Sequence, residues 1–82
     1  MTPIKQVLET PEVGEYLASR NLEEAYKKAK NYILKGLLST VRLRKRKPTS
    51  TSIWYFRITK KYRAFAKLDG KTLIVFAIDD HQ

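Results

Sequence analysis

Apolar and polar positions alternate most clearly in residues 53–81, IWYFRITKKYRAFAKLDGKTLIVFAIDDH. Trp54, Phe56 and Ile58 interleave with Tyr55, Arg57 and Thr59, the period-two pattern of a strand with two unlike faces. Lys60 and Lys61 break the run, and Tyr62, Ala64, Ala66 and Leu68 then interleave with Arg63, Phe65 and Lys67 in a second strand. Asp69-Gly70 predicts a tight hairpin, because both residue types tolerate positive φ. Residues 72–78, TLIVFAI, are β-branched and aromatic with almost no polar member. That composition predicts a central strand buried on both faces, ending in Asp79, Asp80 and His81.

The pattern changes towards the N-terminus. Residues 4–9 predict a short first strand, with Ile4, Gln6 and Leu8 opposite Lys5 and Val7. Thr10-Pro11-Glu12 is a helix start: a hydroxyl cap, a proline where no N–H is needed, and an acid at the positive end of the helix dipole. This short helix carries Val13, Tyr16 and Leu17, weakened by Gly14. Asn21, with Glu24 three residues on, predicts a capped second helix with an apolar stripe of Leu22, Ala25, Tyr26, Ala29 and Ile33, stopped by Gly36. Val41, Leu43 and Lys45 alternate with Arg42, Arg44 and Arg46 in a strand that becomes a basic run, and Pro48 with residues 49–52 predicts an irregular connection. The expected fold is α+β in the order β-α-α-β-β-β-β. Two N-terminal helices pack on one face of a small, mainly antiparallel twisted sheet, in one domain over residues 1–82. Its other face is left partly open.

Charge sharpens this picture. Seventeen Lys and Arg stand against eight acidic residues, a net charge of +9. Residues 1–40 hold six basic and five acidic side chains, whereas residues 41–82 hold eleven and three, so +8 of the excess lies in the second half. A basic half attached to a near-neutral half suggests a polyanion surface on the sheet, or else a merely solvated basic one. No cysteine is present, which excludes disulfides, thiolate metal sites and thiol nucleophiles, and one histidine argues against zinc. There is no Gly-rich phosphate loop, no paired-histidine motif and no recognisable serine nucleophile, so neither a cofactor nor a metal is expected. No apolar stretch approaches a membrane span and no basic-then-apolar leader opens the chain, giving the expectation of a cytoplasmic protein without membrane partners.

Trp54-x-x-Arg57-Ile58, then Tyr62-Arg63, a Gly-containing turn and an apolar strand closing on Ile78-Asp79-Asp80-His81 resemble the RelE/ParE toxin superfamily. The Asp-x-His ending is most similar to the HigB branch. The likeness is specific over residues 53–81 and one of pattern before that. It implies a small basic toxin, inhibited by a cognate antitoxin protein, that acts at the ribosome (rRNA) and cleaves mRNA as a metal-independent endoribonuclease. The ParE branch implies instead inhibition of DNA gyrase.

Cleaving RNA through its own 2′-hydroxyl needs a proton acceptor, charge to stabilise the phosphorane, and a proton donor for the leaving oxygen. By resemblance Arg63 is the phosphate-binding arginine, and its planar guanidinium suits that task. Arg57 matches the family's first arginine; the alternatives are a solvated strand arginine at Arg63 and a carboxylate pair at Arg57. Histidine's unperturbed pKa lies near neutrality, which makes His81 the candidate for proton transfer, with Asp79 or Asp80 orienting it or serving as base. Arg42, Arg44, Lys45, Arg46 and Lys47 put five cations in six positions, suited to RNA phosphates or to a solvated edge. Lys60 and Lys61 join them as candidate RNA contacts, and Tyr55 or Tyr62 as a stacking surface, whereas Trp54 and Phe56 read as core. Where other branches place a catalytic tyrosine near the terminus, this sequence has Gln82, which is neither acid nor base at neutral pH. A basic RNA-binding module of the same fold, without catalysis, is therefore the second alternative to the endonuclease.

Overall fold

The computed structural model describes residues 3–47 and 52–80. Strand β1 (Gln6–Glu9) leads into helices α1 (Pro11–Ser19) and α2 (Glu23–Leu34). A two-residue β2 (Arg44–Lys45) precedes β3 (Ile53–Arg57), β4 (Tyr62–Asp69) and β5 (Thr72–Asp80). The architecture is α+β, with one five-stranded mixed sheet in the order β1-β5-β4-β3-β2. β1 runs parallel to β5 and every other pairing is antiparallel. Among the described residues, no helix is long and apolar enough to cross a membrane.

Local chemistry explains where the helices begin and end. The Thr10 hydroxyl accepts the Val13 N–H at 3.3 Å, and Pro11 occupies the first helical turn. Asn21 does not cap α2 as expected: the residue flanking that helix is Leu22, without a side-chain cap. Asn21 instead has φ +56 and closes α1, because its N–H bonds to the Ala18 carbonyl and that of Leu22 to the Leu17 carbonyl. This paired arrangement turns the chain through one left-handed residue, a conformation asparagine tolerates. Gly36, at φ +80, ends α2 in the same way, with Gly36 N–H on Ile33 and Leu37 N–H on Tyr32. The motif recurs at Arg42, φ +55, whose N–H bonds to Ser39 while that of Leu43 bonds to Leu38. The strand expected from Val41 onward is thus confined to Arg44 and Lys45, since a left-handed residue cannot continue a pleat.

Val7, Phe56, Ala64, Ala66, Leu73 and Val75 form the inward face of the sheet, all nearly or fully buried. They pack with Val13 and Leu17 of α1 and with Tyr26, Ala29 and Ile33 of α2. The Tyr26 hydroxyl donates to Glu9 Oε2 at 2.9 Å, and Lys30 Nζ lies 3.7 Å from the same oxygen, tying α2 to β1. Burial, and then the hydrogen bond to Glu9 and its charge, push the Tyr26 hydroxyl above its ordinary range.

β5 differs from the expectation of a doubly buried central strand. It lies between β1 and β4, so β4 occupies the middle of the sheet. Leu73 and Val75 are fully buried, but Phe76 is 37% exposed, because the helices cover only one face. At Phe76 the register slips: Ala66 pairs with Val75 and Phe65 with Ala77, leaving Phe76 as a bulge. The hairpin loop lies one residue later than Asp69-Gly70, since Asp69 pairs with Thr72 and leaves Gly70-Lys71 as the loop. Gly70, at φ +61, takes the position that needs positive φ.

Candidate nucleic-acid interface

The open face follows from the register. Arg57 pairs with Arg63, Tyr55 with Phe65, and Arg44 with Tyr55, so β2, β3 and β4 present these side chains on the face away from the helices. There Arg44, Tyr55, Arg57 and Arg63 line a cavity of about 290 Å³ together with Arg42, Thr59 and Lys60. Five cations thus converge on one concavity, and among the described residues none of them forms an ion pair with a carboxylate. Arg57 Nε donates to the Thr59 carbonyl at 3.3 Å. The Arg63 guanidinium lies over the Tyr55 ring at 5.5 Å, an attraction worth about 0.5–1 kcal/mol at an exposed site. Convergent guanidinium groups without internal counter-ions form an anion site, and fixed forks favour phosphate or carboxylate oxygens.

The turn between β3 and β4 delivers Lys60. The Thr59 hydroxyl accepts the backbone N–H groups of Lys61 and Tyr62, each at 3.2 Å, a side-chain-closed turn. Ile58 N–H bonds to the Tyr62 carbonyl at 3.0 Å and fixes the hairpin register behind it. Reading the sequence for charged groups passes over Thr59; the signal for it is a threonine placed between a strand and a lysine pair.

Of the residues singled out by sequence, the cavity collects Arg42, Arg44, Arg57, Lys60 and Arg63. Arg46 lies outside it on the same face, its guanidinium 5.1 Å over the Phe65 ring, and Lys67 extends the basic strip to Phe76 at 5.8 Å. Lys45 pairs in register with Trp54 and so projects to the other side of the sheet, while Lys47 is exposed beyond the end of β2. Tyr62 faces the helices, edge-on to Tyr16 with ring centroids 6.3 Å apart, and is not part of the open face. Lys61 approaches Asp80 Oδ2 at 3.8 Å and lies over the Tyr62 ring at 5.5 Å. Asp79 is exposed and sits opposite Arg63 in the β4–β5 register. His81 and Gln82 lie outside the described residues.

The described lining can bind an anion and stabilise charge that develops on it. It offers arginine, lysine, tyrosine and threonine, none of which takes up a proton readily at neutral pH. The nearest carboxylate along the strand register is Asp79. Among the described residues, no group of three or more histidine, aspartate or glutamate side chains is arranged to hold a metal. No protein-family model matches the chain, and no curated protein matches it either.

Proposed function

We propose that this protein is a RelE/HigB-like toxin that cleaves mRNA at the ribosome and is held inactive by a partner antitoxin. The observation that carries this reading is the cavity itself. Arg57 and Arg63, the two arginines of the resemblance, face it together with three further cations and, among the described residues, no carboxylate ion-pair partner. A substrate phosphate seated there meets fixed positive charge, which is stabilising chiefly when the phosphorane gains its extra negative charge.

In the proposed reaction the ribose 2′-oxygen attacks the adjacent phosphorus, the bond to the 5′-oxygen breaks, and a 2′,3′-cyclic phosphate and a 5′-hydroxyl result. The 2′-hydroxyl proton passes to a base and another proton reaches the leaving oxygen. Arg63 grips the scissile phosphate. Asp79, its register neighbour on β5, orients or accepts the proton, and His81 completes the transfer. Arg42, Arg44 and Lys60, with Arg46 beside them, hold flanking RNA phosphates, and the cytoplasm is the compartment in which this chemistry meets its substrate.

A binding module that retains the anion site without cleavage is the second reading. It is favoured by one observation: the described lining of the cavity contains no general base, and Tyr62 is spent on packing against Tyr16. Cell-free translation of a defined mRNA, with cleavage mapped by primer extension, separates the readings. Ribosome-dependent cuts that disappear in a folded Arg63→Ala variant are the expected result. Intact mRNA with RNA still bound would leave the binding module. Gyrase-dependent DNA breaks, with translation unaffected, would replace both with a ParE-like activity.

A further inference from the structure

Among the described residues, three turns share one hydrogen-bond pattern. The N–H of a left-handed residue bonds to the carbonyl three residues back, and the next N–H bonds to the carbonyl five residues back. The left-handed residue is Asn21 in the first, Gly36 in the second and Arg42 in the third. Glycine and asparagine enter that backbone region at little cost, whereas arginine carries a Cβ that crowds the following carbonyl. Of the three, only Arg42 lines the cationic cavity. Neither of the others lines it: Asn21 joins the helices and Gly36 follows α2.

We infer that Arg42 is an anion-binding residue held in an unfavourable backbone conformation, so that the turn gives up fold stability for a fifth phosphate-directed cation. This rests on the reading of the cavity as a phosphate site. The backbone geometry alone asks for glycine. With Arg42 there, a guanidinium reaches the cavity from the turn that precedes β2, an approach no residue of the β3–β4 hairpin can make. The local carbonyl and N–H groups of the turn are already paired, so the side chain is not needed to close it.

The test uses the full chain, a fluorescently labelled short single-stranded RNA, and thermal unfolding in a phosphate-free buffer. Arg42→Gly is expected to raise the unfolding midpoint by about 4–8 °C, as relief of one left-handed side chain does in a domain of this size. The same variant is expected to bind RNA about tenfold more weakly near ~0.1 M salt, and to flatten the slope of log affinity against log salt by about 0.7, one phosphate contact on a single strand. Arg42→Ala should lose affinity equally without the gain in stability. Asn21→Gly should leave affinity and salt slope unchanged. Wild-type affinity and slope in Arg42→Gly, with Arg63→Ala impaired, would overturn the assignment of Arg42 and leave the phosphate site standing. An unchanged or lowered midpoint in Arg42→Gly would overturn the stability half of the inference. Failure of the wild-type chain to bind RNA would remove both it and the reading on which it rests.

Discussion

Arg57 and Arg63 face each other directly across the β3–β4 pairing, with Arg42, Arg44 and Lys60 around the same cavity. Like charges opposed in a sheet are destabilising, and this cluster has no carboxylate within it among the described residues. Two like charges at a separation of about 8 Å, taken as a representative spacing across such a cavity, repel by about 0.5 kcal/mol in water of dielectric about 80. Four such pairs sum to about 2 kcal/mol before screening, and a Debye length of about 8 Å at physiological salt removes more than half. Against this stands the hydrogen bond from Arg57 to the Thr59 carbonyl, worth about 1 kcal/mol where it is partly exposed. Arg57→Gln should therefore be the more stable protein by about 0.5 kcal/mol at roughly 10 mM salt, where a Debye length of about 30 Å leaves about three quarters of the repulsion. Near about 1 M salt, where that length falls to about 3 Å, the difference should vanish or reverse. Urea unfolding of both proteins across that salt range, in a buffer without phosphate, measures it directly. A stability difference that ignores salt, or that grows in favour of the glutamine variant as salt is added, would refute the view that these arginines repel one another.

Two further outcomes bear on the fold. The raised Tyr26 hydroxyl contributes stability that is fully present below its ordinary value of 10.0 and is lost as pH climbs beyond it, because the unfolded chain gives up that proton first. Wild type should therefore lose more stability than Tyr26→Phe between about pH 9 and about pH 11, as read by chemical denaturation; parallel losses would contradict it. Gly14 and Gly70 both have open space where a Cβ would stand, so backbone conformation alone sets the sign of an alanine substitution. Gly14→Ala, inside α1, should stabilise by about 0.5–1 kcal/mol, and Gly70→Ala, at φ +61, should destabilise by about 1 kcal/mol in thermal unfolding.

Much of the architecture is legible in the chain because its contacts are local. Alternation marks β3 and β4, the Thr10-Pro11 start marks α1, and spacing of Leu22, Tyr26, Ala29 and Ile33 marks the stripe of α2. Asn21 misleads because asparagine suits both a helix cap and a left-handed turn, and only the neighbouring hydrogen bonds decide between them. The run of residues 72–78 overstates burial: apolar composition cannot tell a strand covered on both faces from one covered on a single face with Phe76 bulged outward. For the candidate site, Arg57 and Arg63 stand three positions before and after Lys60 at the tip of the turn, which brings them opposite each other and which counting along a hairpin can anticipate. The same parity puts Tyr62 with Ala64 and Ala66 on the helix side, a deduction available from the alternation itself. The left-handed turn at Arg42 stays hidden, since nothing in an alternating basic run announces a reversal.

The parallel pairing of β1 with β5 also has a kinetic meaning. Thr72 and Gln6 meet across 66 positions of chain, whereas β3, β4 and β5 are joined by turns of a few residues. Closure of so long a loop is entropically opposed until other contacts reward it, so the three-strand meander can assemble first and the N-terminal strand arrives as a late addition at its edge. The mutually repelling arginines thus belong to the segment that organises early. Their repulsion weighs on the nascent hairpin before β1 and the helices contribute their share of the core, and an anion bound there would speed the formation of the sheet as well as steady the finished fold.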